Sequence, residues 1–184
     1  MMTTLETDRL ILRGWQDEDA ASLYKYASDE RVAYNAGWIP HLDEGYSKAI
    51  IRTVFKKPET YAICLKGHRN EPIGNISLDI YGNENKKLGQ CEGEIGFWIG
   101  YPHWGEGIAP EAVRELLRHG FEDLRLHQIY CGYFLGNHNS ERVQEKCGFV
   151  FHHVEPHVKV LMLEEERVEY INAMSFERWK KLND

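Results

Sequence analysis

Trp104-Gly105-Glu106-Gly107-Ile108-Ala109 is the stretch that decides the fold, because it leaves one apolar segment and runs straight into another of different period. Upstream, Glu94-Ile95-Gly96-Phe97-Trp98-Ile99-Gly100 has the branched and aromatic composition of a strand. Downstream, Val113, Leu116, Leu117, Phe121 and Leu124 recur at helical spacing, so Pro110 to about Glu122 is predicted to be an amphipathic helix. Two glycines in a tight strand-to-helix turn let backbone N–H groups converge on one point. The helix N-terminus adds unsatisfied donors and the positive end of its dipole. Such a turn suits a pyrophosphate. Pro110 belongs in the first helical turn, where its missing N–H costs little.

Two commoner phosphate motifs do not fit. The dinucleotide fingerprint wants Gly or Ala three residues after the second glycine, where this chain has Pro110, and an early βαβ unit. The phosphate-loop NTPase motif needs Gly-Lys-Ser/Thr, which does not occur.

A second segment narrows the reading. Gln128-Ile129-Tyr130-Cys131-Gly132-Tyr133-Phe134 is strand-like, and it precedes Asn137-His138-Asn139-Ser140-Glu141-Arg142-Val143-Gln144-Glu145-Lys146-Cys147-Gly148-Phe149. Together with the first stretch this resembles the GNAT superfamily of acetyl-CoA-dependent N-acetyltransferases. Trp-Gly-x-Gly-x-Ala matches its pyrophosphate loop, and Asn-x-x-Ser-x-Arg-Val-x-Glu-Lys-x-Gly-Phe its second cofactor motif. Leu5-Glu6-Thr7-Asp8-Arg9-Leu10-Ile11-Leu12-Arg13 resembles the first strand of the branch that acetylates N-termini of ribosomal proteins. Pro102 and Trp104 depart from the Gln or Arg and the Arg that often open the superfamily's loop. Backbone donors carry the phosphate contacts, so cofactor binding is still expected.

The resemblance implies one α+β domain over residues 1–184, with a mixed central sheet of about six to seven strands flanked by helices. A splayed strand pair would hold acetyl-CoA, with the pantetheine arm beside Glu94–Gly100. Phe97, Trp98 and Ile99 would offer main-chain contacts, and an N–H around Trp98 or Ile99 would face the thioester oxygen. Trp104, Gly105, Glu106, Gly107, Ile108 and Ala109 would hold the pyrophosphate. Asn137 would bond the pantetheine arm, while Arg142 and Lys146 are cations for the adenosine phosphate or plain solvated side chains. Ser140 would give a proton or hydrogen bond to the leaving thiolate, with Tyr133 the alternative donor. Glu94 shares a strand side with Gly96 and Trp98 and is the first choice as base, with Glu92 the runner-up. Tyr34, Asn35 and Trp38, with His41, would line one side of the acceptor site and His153 to His157 the other. Gly96 and Gly100 would allow close approach of ligand and backbone.

Composition agrees with this. The 184 residues suit one domain, and no apolar run reaches bilayer length. The N-terminus lacks a signal-peptide layout, which makes cytoplasm the expected location. A formal net charge of −7 argues against nucleic acid and mildly favours a cationic acceptor. Cys64, Cys91, Cys131 and Cys147 are too widely spaced for a zinc ribbon and are expected as reduced packing thiols. No metal is expected either: His152 and His153, adjacent on a strand, should point to opposite faces. The chain is expected as a monomer or homodimer.

The remaining elements are predicted as a helix capped by Asp17, a short helix from Asp29 to Gly37, and a third from Asp43 to Pro58. Strands are predicted at Thr7–Arg13, Tyr61–Leu65 and Pro72–Tyr81, the last two joined by Gly67–Asn70, with a loop over Gly82–Gln90. A strand to Val154, a turn at Glu155-Pro156, a strand from Val168 to Ala173 and a helix capped by Ser175 complete the chain. The function expected is acetyl transfer to a primary amine, such as a protein N-terminus. The alternatives are a small-amine acetyltransferase (polyamine or aminoglycoside) and a catalytically silent acyl-CoA-binding module.

Overall fold

In strand β2 (Leu10–Gly14) Leu10 and Leu12 are fully buried while Ile11 and Arg13 are half-buried, the alternation of a sheet with one well-covered face. The computed structural model describes residues 3–68, 70–80 and 89–184. The strand predicted over Thr7–Arg13 is found from Leu10 onward, while residues 7–9 form a turn that pairs it with a short strand before it. The Leu10 N–H donates to Thr7 Oγ1 at 2.9 Å and the Thr7 N–H to Leu10 O at 3.0 Å, closing a turn between β1 (Leu5–Glu6) and β2. Helices α1 (Ala20–Ala27), α2 (Glu30–Ala36) and α3 (Glu44–Ile50) follow, the last extended by a wider turn over Ile51–Phe55. Then come β3 (Thr60–Leu65), β4 (Pro72–Asp79), β5 (Glu92–Ile99), α4 (Ile108–Arg118), β6 (Gln128–Phe134), α5 (His138–Cys147), β7 (Val150–Val160), β8 (Glu165–Ser175) and α6 (Phe176–Asn183). Among the described residues the mixed sheet has eight strands, in the order β1-β2-β3-β4-β5-β6-β8-β7. Residue 69 of the predicted turn, Tyr81 of the predicted strand and 82–88 of the predicted loop lie outside the described residues.

The chain forms two compact units, Met1–Ser77 with Phe97–Ala112 and Leu78–Gly96 with Val113–Asp184. In the first, β2 and β4 flank β3 in antiparallel registers, Leu12 opposite Ile63 and Ile63 opposite Gly74. Its core is built from Leu10, Leu12, Leu23, Ile51, Tyr61 and Ile63, all buried. Burying side chains of this size stabilises by about 1.5–3 kcal/mol each, before the entropy of ordering them is subtracted. Arg13 grips Asp19 through two bonds of 2.8 Å, and the same carboxylate accepts the Gln16 N–H at 2.8 Å, which sets the entry into α1.

In the second unit, β5 runs parallel to β6 from Glu92↔Gln128 to Ile95↔Cys131. The ladder ends there, although β5 continues to Ile99 and β6 to Phe134. β6 pairs antiparallel with β8, and β8 with β7. Phe121, in the wide turn after α4, packs its ring 6.0 Å from Phe176 and 5.5 Å from Trp179 of α6. β7 does not turn at Glu155-Pro156 as predicted. It runs through to Val160, taking up Pro156 where the register shifts between Glu155 and Val158. A proline that cannot donate to a ladder is tolerated at such an irregularity.

Local capping followed the sequence in three places. Asp29, Asp43 and Ser175 each accept a backbone N–H at a helix start, from Arg31, Tyr46 and Arg178. Asp17 does not cap α1: it opens a short 3-10 turn (Asp17–Asp19) preceded by Gln16, Asp19 stands at the start of α1, and the Asp17 carboxylate is held by Arg52 and by Lys56 at 2.7 Å. Among the described residues no helix is long and apolar enough to cross a membrane.

Candidate active site

In the first unit the end of β5 is fixed before the loop begins. The Gly100 N–H donates to Ile73 O at 2.8 Å, and a side chain at Gly100 would meet the Tyr26 ring at 2.4 Å. Gly100 is therefore small at least in order to admit Tyr26. Trp104 donates its indole N–H to Ile99 O at 2.7 Å and sets its ring edge-on to Tyr101, with centroids 5.1 Å apart. The Arg31 guanidinium lies 3.3 Å above the Tyr101 ring. The departure at Trp104 thus has a local role: the indole ties the loop to the strand it leaves.

Gly105 and Gly107 adopt φ of 80° and 76°, the left-handed region that other residues enter only at a cost. Gly105, Glu106 and Gly107 are exposed, whereas Ile108 drops into the core. α4 begins at Ile108, two residues before the predicted Pro110, and Glu111 N–H to Gly107 O at 3.3 Å is its first turn's bond. The Ile108 and Ala109 N–H groups precede that bond and belong to the donors a helix leaves unmatched at its start. Two left-handed glycines beside bare helix-start amides fit a diphosphate. Trp98 and Ile99 are buried, which favours main-chain contact with a ligand there, and Phe97 is half-buried.

Trp38 sets its ring edge-on to Trp98 at 5.6 Å and lies 6.3 Å from His41. The Trp98 indole N–H is buried with no hydrogen-bond partner among the described residues. His41 is buried, its Nδ1 2.8 Å from Ser47 Oγ, and burial pushes its pKa down to about 4. Tyr34 is exposed, and Asn35 turns its amide back onto Arg31 O at 2.8 Å. Trp38 and His41 are thus joined in one aromatic group, while Asn35 bonds its own helix.

The second unit carries the other candidates. Glu94 stands opposite Tyr130 in the parallel register, half-buried. Glu92 is occupied: its carboxylate accepts the Gly89 N–H at 2.7 Å and the Tyr130 hydroxyl at 3.4 Å. Asn137 is the N-cap of α5, its Oδ1 accepting the Ser140 N–H at 3.2 Å. The cap leaves its amide N–H₂ without a partner among the described residues. The Ser140 hydroxyl accepts from Gln144 Nε2 at 3.2 Å, so its own hydrogen is still available to donate.

Gln144, absent from the sequence candidates, is fully buried. It donates to Gly132 O at 3.1 Å and accepts from Asn172 Nδ2 at 2.8 Å. A polar residue four positions after Ser140, on the same helical face, was the available signal. Tyr133 donates its hydroxyl to Glu141 at 3.0 Å; burial, with that carboxylate beside it, pushes its pKa up to about 12. Arg142 and Lys146 are exposed one turn apart on α5, and Arg114 donates to Lys146 O at 3.0 Å.

On β7, the register shift between Phe151 and His153 changes the expectation for the histidines. His152 and His153 do not diverge: their Nδ1 atoms are 2.7 Å apart, and His153 Nε2 lies 3.0 Å from Glu155. Among the described residues no group of three or more His, Cys, Asp or Glu side chains could hold a metal ion. Cys64, Cys131 and Cys147 are buried and Cys91 is exposed, and none of the four is in a disulfide.

The comparisons with known proteins give the family and the fold. The family described as "Acetyltransferase (GNAT) domain" matches residues 9–150. The chain is 33% identical over 133 residues to "Uncharacterized N-acetyltransferase p20" of Bacillus licheniformis, covering 70% of this chain and 71% of that one. It is 36% identical over 77 residues to "Putative ribosomal N-acetyltransferase YdaF" of Bacillus subtilis, 42% of this chain and 39% of that protein. The crystal structure of a GNAT-family acetyltransferase from Bacillus anthracis superposes with a TM-score of 0.81 at 23% identity, covering 95% of this chain and 99% of the other.

Proposed function

This chain belongs to the GNAT acetyltransferase family and is an N-acetyltransferase acting with acetyl-CoA, and from that premise we propose that its acceptor is a protein N-terminal α-amine. The observation that carries the cofactor half of the proposal is the pair of left-handed glycines opening α4. Support for the acceptor is the Leu5–Arg13 start, the partial likeness to YdaF, and a net charge of −7 that attracts an ammonium group. The two compact units then serve as one acetyltransferase domain, working in the cytoplasm.

In this reading the Gly105–Ala109 amides hold the diphosphate, with Arg142 and Lys146 assigned to the adenosine phosphate. The unengaged Asn137 amide serves the pantetheine arm, and a main-chain N–H at Trp98 or Ile99 meets charge developing on the thioester oxygen. Acetyl-CoA supplies the activated acyl group. Glu94 takes the proton of the acceptor ammonium, directly or through water, leaving a neutral amine to attack. Glu92, whose carboxylate accepts the Gly89 amide and the Tyr130 hydroxyl, is the runner-up. Ser140 donates a hydrogen bond from its hydroxyl to the departing thiolate, which takes up the proton that the nitrogen sheds as the amide forms. Tyr133 is the poorer donor, since its hydroxyl is committed to Glu141 and harder to ionise.

Free-thiol release tests the proposal, using acetyl-CoA with peptides bearing free or blocked N-termini and with a panel of polyamines and aminoglycosides. Turnover confined to free peptide N-termini is expected. Turnover only with small amines would replace the acceptor. Binding of CoA with no thiol release for any acceptor would make the chain a silent acyl-CoA module.

A further inference from the structure

The Leu5–Arg13 segment matched a family branch without any function attaching to its residues, and the structure gives Thr7 and Arg9 one. Arg9 stands beside the glycine loop, ninety-odd residues away in sequence. Its Nε donates to Glu111 Oε2 at 2.6 Å and its Nη1 to Glu106 O at 3.0 Å. Its Nη2 lies 3.6 Å from where a side chain at Gly107 would begin. Glu111 sits in the first turn of α4, and its Oε1 accepts the Thr7 hydroxyl at 2.5 Å and the Arg9 N–H at 3.0 Å. Burial alone would push the Glu111 carboxyl up, but the Thr7 hydroxyl, the Arg9 amide and the Arg9 guanidinium together outweigh it and hold it below the usual carboxylate range.

An ionised Glu111 in the opening turn of α4 has two consequences. It complements the helix dipole, and it places a negative charge close to the amides assigned to the diphosphate. Arg9 cancels that charge and, with the same guanidinium, fixes the carbonyl between the two glycines. Charge-assisted bonds of this kind are the stronger class of hydrogen bond.

We propose that Arg9, held by Glu111 and Thr7, is a positioning residue for acetyl-CoA: it braces the Gly105–Gly107 turn through Glu106 O and neutralises Glu111 beside it. The brace rests on the reading of that turn as the diphosphate site, and it acts on the loop from the β1–β2 hairpin.

The test compares wild type, Arg9→Gln, Arg9→Lys and Arg9→Gln/Glu111→Gln by titration with CoA, steady-state kinetics and melting temperature without cofactor. For Arg9→Gln the Kd for CoA and the KM for acetyl-CoA should rise about tenfold, with kcat changed less than twofold. Arg9→Lys, which keeps the charge but not the fork, should fall between. The double variant should recover about threefold of the lost affinity, because it removes the uncompensated carboxylate. A fold-only role would lower the melting temperature of Arg9→Gln and leave its Kd at the wild-type value, which overturns the inference. A double variant no tighter than Arg9→Gln overturns it as well. If the wild type itself failed to bind CoA, the diphosphate reading of the loop would fall first, and this inference with it.

Discussion

Gly105→Ala isolates the backbone requirement of the loop, because a side chain added there meets nothing within 4 Å. No steric clash contributes, so the cost is the left-handed conformation alone, φ of 80° in the native turn. For a residue with a Cβ that cost is about 1–2 kcal/mol. It can show itself in two ways. If the turn is held rigidly by Trp104 on Ile99 O and Arg9 on Glu106 O, the protein without cofactor loses about 1–2 kcal/mol in urea unfolding. If the turn relaxes instead, stability is retained, and CoA must restore the strained form on binding. Its Kd then weakens by about 5- to 30-fold. The sum of the two losses should lie near the same 1–2 kcal/mol in either case. Gly105→Asn should lose less than Gly105→Ala, since asparagine enters the left-handed region more readily. The assays are urea unfolding with and without saturating CoA and calorimetric titration of CoA. Wild-type stability together with wild-type CoA affinity in Gly105→Ala would refute the argument that this turn must be left-handed to bind.

Ser140→Ala should lower kcat by about 10²-fold at saturating acetyl-CoA, with the KM for acetyl-CoA nearly unchanged, and steady-state kinetics check it. Glu94→Gln should lower turnover and remove the acidic limb of the pH–rate profile while CoA still binds; unchanged kinetics would remove Glu94 from the mechanism. Gln144→Leu deprives buried Asn172 and Gly132 O of their partner and should cost about 2–3 kcal/mol in urea unfolding. His41 is held near a pKa of 4 by burial, against an ordinary value of 6.5. Between those values the unfolded chain takes up a proton that the folded chain refuses. The stability difference is therefore complete above about pH 6.5 and is lost as pH falls toward 4. Allowing for solvent screening, His41→Gln should remove about 2 kcal/mol of that acid-side dependence, measured by unfolding at pH 4 and pH 7.

What the sequence disclosed and what it concealed divide by range. Caps at Asp29, Asp43 and Ser175 were legible because each side chain bonds a backbone N–H two or three residues away. Asp17 was misread because its partners, Arg52 and Lys56, lie more than thirty residues further on and win over the local cap. The glycine loop was legible from composition, period change and helix-start chemistry together. The reason for Trp104 was not, since it depends on Ile99 O. Strand periodicity placed β7 but could not foresee its two register shifts, which carry the strand through Pro156 and bring His152 against His153. Gly100 makes room for Tyr26, a contact no local pattern encodes. Gln144 was hidden by its type, since a glutamine on a polar helix reads as solvated until Gly132 O and Asn172 are seen to meet it.

The most direct test follows the Gly105 and Gly107 amides in a glycine-labelled sample by NMR, titrated with CoA and, separately, with pantetheine, which lacks the diphosphate. Both amide resonances should move and saturate with CoA and stay in place with pantetheine. CoA that binds to saturation while leaving both resonances unmoved would contradict the claim that this turn grips the diphosphate.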